Sequence, residues 1–127
     1  MLFVCYPKCT TCQKAKRFLD ENGIKYDERN IKEQNPTIEE LKDWHKASGL
    51  PLKKFFNTSG MLYRSMELAK KLPSMSEDEQ FALLASDGML VKRPILAADN
   101  TVLVGFKESE WEKLILIPNR SIDKDDR

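Results

Sequence analysis

The chain has 127 residues, which suits a single domain, because single domains commonly run to roughly 100–150 residues. Its 21 basic and 20 acidic side chains leave a net charge of +1, so no excess of cations favours direct binding to nucleic acid or to a membrane surface. No segment approaches the ~20 apolar residues of a membrane span, and the first residues do not resemble a signal peptide. We therefore expect a cytoplasmic protein, in which paired cysteines serve catalysis, sensing or metal binding.

The N-terminal part of the chain predicts a βαβ unit. An apolar run over residues 2–6 is typical of a buried strand. The helical spacing of apolar residues then predicts a helix from Thr10 or Thr11 to Asn22. Residues 24–31 follow with a strand-like pattern, close enough to the helix to complete the unit.

Helical patterns dominate the middle of the chain, and two strands and a helix follow them. The predicted middle helices cover three segments, residues 37–48, 65–72 and 76–86. Residues 93–96 and 101–104 are strand-like and are joined by a hairpin turn signal. Residues 108–115 predict a closing helix.

The order βαβ, helices, ββα predicts an α/β protein with a thioredoxin-like fold and a helical insertion between its two halves. We expect one domain over residues 1–117, with its core at about 1–34 and 90–117 and the insertion at about 35–89. Residues 118–127 are short and charge-dense, so we expect a flexible tail there.

A Cys-x-x-Cys motif lies where the first strand meets the first helix. Backbone N–H groups at a helix N-terminus stabilise a thiolate, so Cys9 is predicted to be the attacking thiolate. Cys12, one turn inside the helix, is close enough to resolve a mixed disulfide formed on Cys9. Thr10 and Thr11 add hydrogen-bond donors beside Cys9. The motif therefore predicts a redox-active pair.

The alternative interpretation of the pair is a zinc half-site or a chance occurrence. A tetrahedral zinc site takes four ligands and would need both remaining soft side chains, Cys5 and His45, besides the pair, so we predict no metal. Cys5 is interpreted as a small buried apolar residue of the first strand, with a redox role as its alternative. His45 is interpreted as an exposed or capping side chain of a helix.

Four landmarks occur in a characteristic order along the chain. They are residues 6–15 around the cysteine pair, residues 56–60 followed by Tyr63-Arg64, residues 92–95 and residues 104–106. In this order they resemble the ArsC family, which includes glutaredoxin-coupled arsenate reductases and the Spx regulators. The resemblance spans Leu2 to about Leu116 and is more specific than a lone Cys-x-x-Cys.

The resemblance implies roles for the cysteines. Cys9 matches the nucleophile that attacks arsenate. Cys12 occupies the position of the second cysteine in Spx-type proteins, where the reductases usually have a serine. Cys5 replaces the histidine that precedes the nucleophile by four residues in the glutaredoxin-coupled reductases. The chain thus departs from the reductases at two of three positions.

The resemblance also implies an anion site. Arg64 and Arg93 match the oxyanion-binding arginines of the family, and Pro94 matches the cis proline that faces the active site. The third arginine falls on or near Lys107, which offers a point charge instead of a bidentate fork. The alternative interpretation of Arg64 and Arg93 is that they form ion pairs with carboxylates on the surface.

These features lead to two competing functions. The first is an arsenate-reductase-like thiol–disulfide oxidoreductase in which Cys9 and Cys12 act on a disulfide or a small oxidised substrate. It needs no bound cofactor and takes electrons from an external thiol such as glutathione, glutaredoxin or thioredoxin. The alternative is a Spx-type redox-sensing regulator that binds the C-terminal domain of the RNA polymerase α subunit. We expect arsenate reduction itself to be weak or absent.

Overall fold

A four-stranded mixed sheet is the scaffold of the protein, whose computed structural model describes residues 1–116. The strands are β1 (Leu2–Cys5), β2 (Asp27–Asn30), β3 (Ile95–Ala97) and β4 (Val102–Val104). They lie in the order β2-β1-β3-β4, with β1 parallel to β2 and antiparallel to β3, and β3 antiparallel to β4. This arrangement confirms the predicted thioredoxin-like α/β fold. The tail expected at residues 118–127 lies outside the described residues.

One helix lies within the first half of the sheet, four lie between the two halves and one follows the second half, over residues 1–116. They are α1 (Thr10–Glu21), α2 (Ile38–Ser48), α3 (Met61–Ser65), α4 (Leu68–Lys71), α5 (Glu77–Ser86) and α6 (Glu108–Leu116). Short 3₁₀ turns cover Leu52–Phe55, Leu72–Ser74 and Gly88–Leu90. None of these helices, which belong to residues 1–116, is long and apolar enough to cross a membrane.

Local sequence signals mark the first turns of two helices that lie between the halves of the sheet. Thr37 and Glu40 form a capping box before α2, in which each side chain accepts a hydrogen bond from the backbone N–H of the other. Ser76 and Glu79 form the same box before α5. Gly49, with φ 69°, ends α2 in the left-handed conformation that glycine adopts without strain. These boundaries were predicted from the sequence.

The prediction of one continuous helix at residues 65–72 was wrong. The segment divides between α3 and α4, with Glu67 between them at a φ of 55°. A left-handed residue turns the chain out of a right-handed helix, so the apolar spacing continues while the helix does not. Apolar periodicity alone does not show this interruption.

Two predicted strands begin later than expected. The segment predicted at residues 24–31 enters β2 late, because the N–H of Ile24 still donates to the Leu19 carbonyl at the end of α1, at 3.0 Å. The segment predicted at residues 93–96 enters β3 only after Pro94, which has no N–H to donate to the ladder.

The sheet separates two apolar clusters, because successive side chains of a strand point to opposite faces. Phe3 and Cys5 of β1 join the cluster beneath α1 and α6. Val4, between them, joins the other cluster, which includes residues of α2 and α5. Trp111 of α6 is fully buried in the first cluster and donates from Nε1 to the Gly105 carbonyl at 3.1 Å. The cysteines therefore lie on the α1 and α6 side of the sheet.

Candidate active site

Cys9 is the N-cap residue of α1, directly before its first turn. Its N–H donates to the Tyr6 carbonyl at 2.9 Å, and its own carbonyl accepts from the Gln13 N–H at 3.0 Å. The side chain of Cys9 is partly exposed and makes no capping hydrogen bond. Thr10 and Thr11, the first two residues of the helix, are exposed beside it. The sulfur thus stands at the positive end of a helix and within reach of solvent.

Cys12 is buried one turn further along α1. Its sulfur accepts a hydrogen bond from the Tyr6 backbone N–H at 3.3 Å. The adjacent Cys5 thiol, and secondarily burial, raise the pKa of Cys12 far above its ordinary value. Hydrogen bonds from the Tyr6 backbone and from Cys9 oppose that rise. At neutral pH Cys12 is therefore a protonated thiol, one helical turn from Cys9.

Cys5 lies on the deep side of the pair, at the end of β1. Its S–H donates to Oε2 of Glu28 at 3.6 Å, and Glu28 forms an ion pair with Lys16 at 2.9 Å. The hydrogen bond with Cys12 lowers the pKa of Cys5, while burial and the Glu28 charge oppose that change. A cavity of about 130 Å³ is lined by Cys5 and Cys12 together with Pro7, Gln13, Lys16 and Glu28.

The contact between Cys5 and Cys12 was not predicted from the sequence. Two patterns could have suggested it. Cys5 shares its face of β1 with the buried Phe3, and Cys12 belongs to the buried stripe of α1 that includes Ala15 and Leu19. Each pattern shows only that its residue points inward, and the packing of α1 on the sheet brings the two sulfur atoms together.

Arg93 is connected to the cysteine loop through an aromatic ring. Its guanidinium carbon lies 5.3 Å from the centroid of the Tyr6 ring, within the range of a cation–π contact. The Nε and Nη1 atoms of Arg93 are buried, and neither has a hydrogen-bond partner within residues 1–116. The Arg93–Pro94 peptide bond is cis, and Pro94 is buried. Two guanidinium donors thus remain available beside the loop that leads to Cys9.

The other two predicted cations, Arg64 and Lys107, lie on the surface of the described part of the chain. Arg64 is exposed on α3. Lys107 is exposed before α6, and its side chain borders a surface groove that Lys92 also lines. Within the described part of the chain, no hydrogen bond or ion pair joins either side chain to Cys9 or Arg93. Their roles in anion binding stay predictions.

His45 does not extend from the surface as expected. Its ring is half-buried and packs edge-on against Phe55 and Phe81, with centroid distances of 5.9 and 5.6 Å. The interpretation as an exposed or capping side chain was therefore wrong, because α2 lies against α5 and the 3₁₀ turn before Phe56. Over residues 1–116, no three His, Cys, Asp or Glu side chains are grouped to hold a metal ion.

Comparison with known proteins agrees with this fold. The sequence model of the ArsC family matches residues 5–114. YusI of Bacillus subtilis strain 168 is 57% identical over 113 residues, which cover 89% of this chain and 96% of YusI. The global transcriptional regulator Spx of Staphylococcus epidermidis is 29% identical over 109 residues, covering 86% of this chain and 82% of Spx. A solved structure from Streptococcus mutans, named as a possible arsenate reductase, is 44% identical with a TM-score of 0.80, covering 87% of this chain and 96% of that one.

The sheet order and the flanking helices define an α/β protein of the thioredoxin-like class. Within that class, the chain belongs to the ArsC family. Its relatives include both Spx-type regulators and proteins named as arsenate reductases, so membership of the family does not by itself specify one activity.

Proposed function

We propose that the protein is a thiol–disulfide oxidoreductase in which Cys9 attacks and Cys12 resolves. The observation that carries this proposal is the placement of a partly exposed Cys9 at the N-cap of α1, one turn before a buried Cys12. The substrate is a disulfide or a small oxidised molecule. Electrons come from an external cellular thiol such as glutathione, glutaredoxin or thioredoxin, and the proposed compartment is the cytoplasm.

The proposed reaction has two exchange steps. The Cys9 thiolate attacks one sulfur of the substrate disulfide, which forms a mixed disulfide and releases the first substrate thiolate. Cys12 then loses its proton and attacks the Cys9 sulfur, which releases the second substrate thiolate and forms the Cys9–Cys12 disulfide. The Tyr6 N–H, 3.3 Å from the Cys12 sulfur, supports the thiolate that this second step requires. Two electrons from the external thiol restore the dithiol.

The anion subsite is part of the same proposal. The buried donors of Arg93 support binding of a negatively charged substrate group near the cysteine loop. Thr10, Thr11 and Pro94 would border this group by their position in the family motif. Arg64 and Lys107 are proposed as further contributors of positive charge.

Arsenate is expected to be a poor substrate. Reductase chemistry requires an arsenate adduct on Cys9 to persist until an outside thiol reaches it, whereas Cys12 is in contact with Cys9 and competes for that adduct. Lysine at position 107 also gives weaker oxyanion recognition than a bidentate arginine. Glutathione-dependent arsenate turnover that survives Cys12→Ser but not Cys9→Ser would contradict this expectation.

The test of the oxidoreductase proposal is reduction of bis(2-hydroxyethyl) disulfide, coupled to glutathione in one assay and to a thioredoxin system in another. Cys9→Ser should abolish turnover. Cys12→Ser should accumulate a mixed disulfide on Cys9, visible as a mass increase of one substrate half that a reductant removes. Thr101→Ser, in the turn between β3 and β4 and outside the proposed site, is the matched control and should turn over normally. Full activity of Cys9→Ser would overturn the proposal.

A second candidate is a Spx-type regulator, favoured by the relationship to Spx over most of the chain. In that case the same cysteine pair is a redox switch, and the partner is the C-terminal domain of the RNA polymerase α subunit rather than DNA itself. Calorimetric titration of this domain with the reduced and the oxidised protein tests the alternative. Redox-dependent binding without disulfide reductase activity would replace the first proposal with the second.

A further inference from the structure

Cys12 contacts a second thiol besides Cys9. Cys5 and Cys12 are each only 2% exposed, belong to one apolar cluster and line one cavity. Two covalent bonds, spanning about 2.5 Å, separate the Tyr6 nitrogen from the Cys5 Cα. Because the Cys12 sulfur lies 3.3 Å from that nitrogen, it is held beside the backbone of Cys5. The three thiols therefore form a row, with Cys12 in the middle.

We propose that Cys5 is a third redox thiol, which takes over the disulfide from the Cys9–Cys12 pair as a buried Cys5–Cys12 disulfide and releases Cys9. This inference rests on the proposed oxidoreductase function and extends it. Its consequence is that the oxidised protein keeps an accessible nucleophile, because the two oxidised sulfur atoms are stored beneath α1. In the oxidised protein, Cys9 is then free to attack a second substrate molecule.

The transfer is an internal thiol–disulfide exchange, and its electrons balance without an added oxidant. The Cys5 thiolate attacks the Cys12 sulfur, so the Cys5–Cys12 bond forms as the Cys9–Cys12 bond breaks, and Cys9 leaves as a thiolate. The Cys5 proton passes to the Glu28 carboxylate, whose Oε2 already accepts the Cys5 S–H at 3.6 Å. From Glu28, which is partly exposed beside Lys16, the proton reaches solvent.

The location of the charged pair supports this direction of transfer. Lys16 and Glu28 border the cavity that holds Cys5 and Cys12, and no other ion pair within residues 1–116 involves either residue. Lys16 favours the thiolate of Cys5, whereas Glu28 receives its proton.

The test begins with the unmodified protein oxidised by a limiting amount of diamide. The oxidised protein is treated with iodoacetamide while folded, then denatured, treated with N-ethylmaleimide and digested with trypsin. Trypsin cleaves after Lys8 and Lys14, so Cys5 lies in one peptide and Cys9 with Cys12 in the next. We expect the two peptides to be joined through Cys5 and Cys12, with the iodoacetamide label on Cys9.

Other products would overturn the inference. If Cys9 and Cys12 are joined within one peptide and Cys5 takes up only N-ethylmaleimide after denaturation, Cys5 has no redox role while the oxidoreductase proposal stands. A Cys5–Cys9 link would also contradict the order of the row. If no intramolecular disulfide forms, both proposals fail.

Cys5→Ala supplies the matched comparison. The variant still forms the Cys9–Cys12 disulfide, so its oxidised form should lose nearly all labelling of Cys9 in the folded state, whereas the unmodified protein keeps it. Equal labelling of Cys9 in both oxidised proteins would overturn the transfer step. If the variant does not fold, the cross-link in the unmodified protein decides the question alone.

Discussion

The backbone N–H of Tyr6 donates a hydrogen bond to the Cys12 sulfur at 3.3 Å. The Tyr6 carbonyl accepts from the Cys9 N–H, and the Tyr6 ring lies beneath the guanidinium of Arg93. Tyr6 thus connects the buried thiol of Cys12, the accessible thiol of Cys9 and the guanidinium of Arg93. Because all three contacts begin at the same residue, a change in the conformation of the loop after β1 would alter the two thiols and the Arg93 guanidinium together.

Cys9 should be the most reactive thiol of the folded protein. Cys5 and Cys12 are almost completely buried, whereas Cys9 is partly exposed at the start of α1. The raised pKa of Cys12 further reduces its thiolate fraction near neutral pH. We expect iodoacetamide to modify Cys9 at least about tenfold faster than either other cysteine. Peptide mapping over time measures the modification rates of the three cysteines. Equal rates would contradict the assignment of Cys9 as the nucleophile.

Arg93→Ala should weaken the binding of sulfate or arsenate. Hydrogen bonds to charged groups contribute roughly 1.5–3 kcal/mol, so the dissociation constant should rise by about tenfold or more. Arg93→Lys should recover only part of the affinity, because an ammonium lacks the planar fork. Lys107→Ala is the comparison and should have a smaller effect. Calorimetric titration measures both, and a larger effect of Lys107→Ala would place the anion elsewhere.

Glu40→Gln should destabilise the protein in a pH-dependent manner. Arg29 donates to both carboxylate oxygens, at 2.7 and 2.9 Å, and this contact is the main cause that lowers the pKa of Glu40. The substitution should cost roughly 1–3 kcal/mol of unfolding free energy at pH 7. Urea unfolding at several pH values measures the difference, with the exposed Glu39→Gln as its control.

The sign of that pH dependence follows from the lowered pKa. The pKa of Glu40 is lower in the folded protein than its unfolded value near 4.5. Such a carboxyl group contributes its full stabilisation of the folded protein at pH values above the unfolded pKa. The added stability is lost as the pH falls through the folded pKa. The difference between the unmodified protein and Glu40→Gln should therefore shrink as the pH falls below about 4.5. A difference that grows with acidity would contradict the assigned ion pair.

Gly88→Ala should destabilise the fold by overpacking. A Cβ at position 88 would overlap the backbone carbonyl of Ile31, directly after β2. Backbone cannot move aside as a flexible side chain can, so we expect a loss of at least about 1–3 kcal/mol. Gly23→Ala is the control, because its Cβ would meet open space and only its φ of 67° is strained. Urea unfolding of Gly88→Ala with an unchanged midpoint would contradict the close packing.

Secondary-structure elements could be predicted where the interactions that define them join residues close in sequence. The capping residues Thr37 and Ser76 act on N–H groups within a few positions, so the sequence alone located the starts of α2 and α5. The Cys-x-x-Cys motif at the start of α1 was equally visible, because a strand, two thiols and an apolar helical stripe follow one another directly. Glu67 shows the limit, since nothing in its neighbours requires a left-handed backbone in the middle of an apolar pattern.

The sequence by itself determined the class of fold and the position of the Cys-x-x-Cys motif at the start of α1, because strand alternation, helix periodicity and motif spacing are local. Only the tertiary structure decided that Cys5 lies against Cys12 and Glu28, and that Arg93 lies over Tyr6. Cys5 and Glu28 are 23 positions apart in sequence. Such contacts arise when α1 packs on the sheet and β3 inserts beside β1, and no local pattern specifies how closely those surfaces meet.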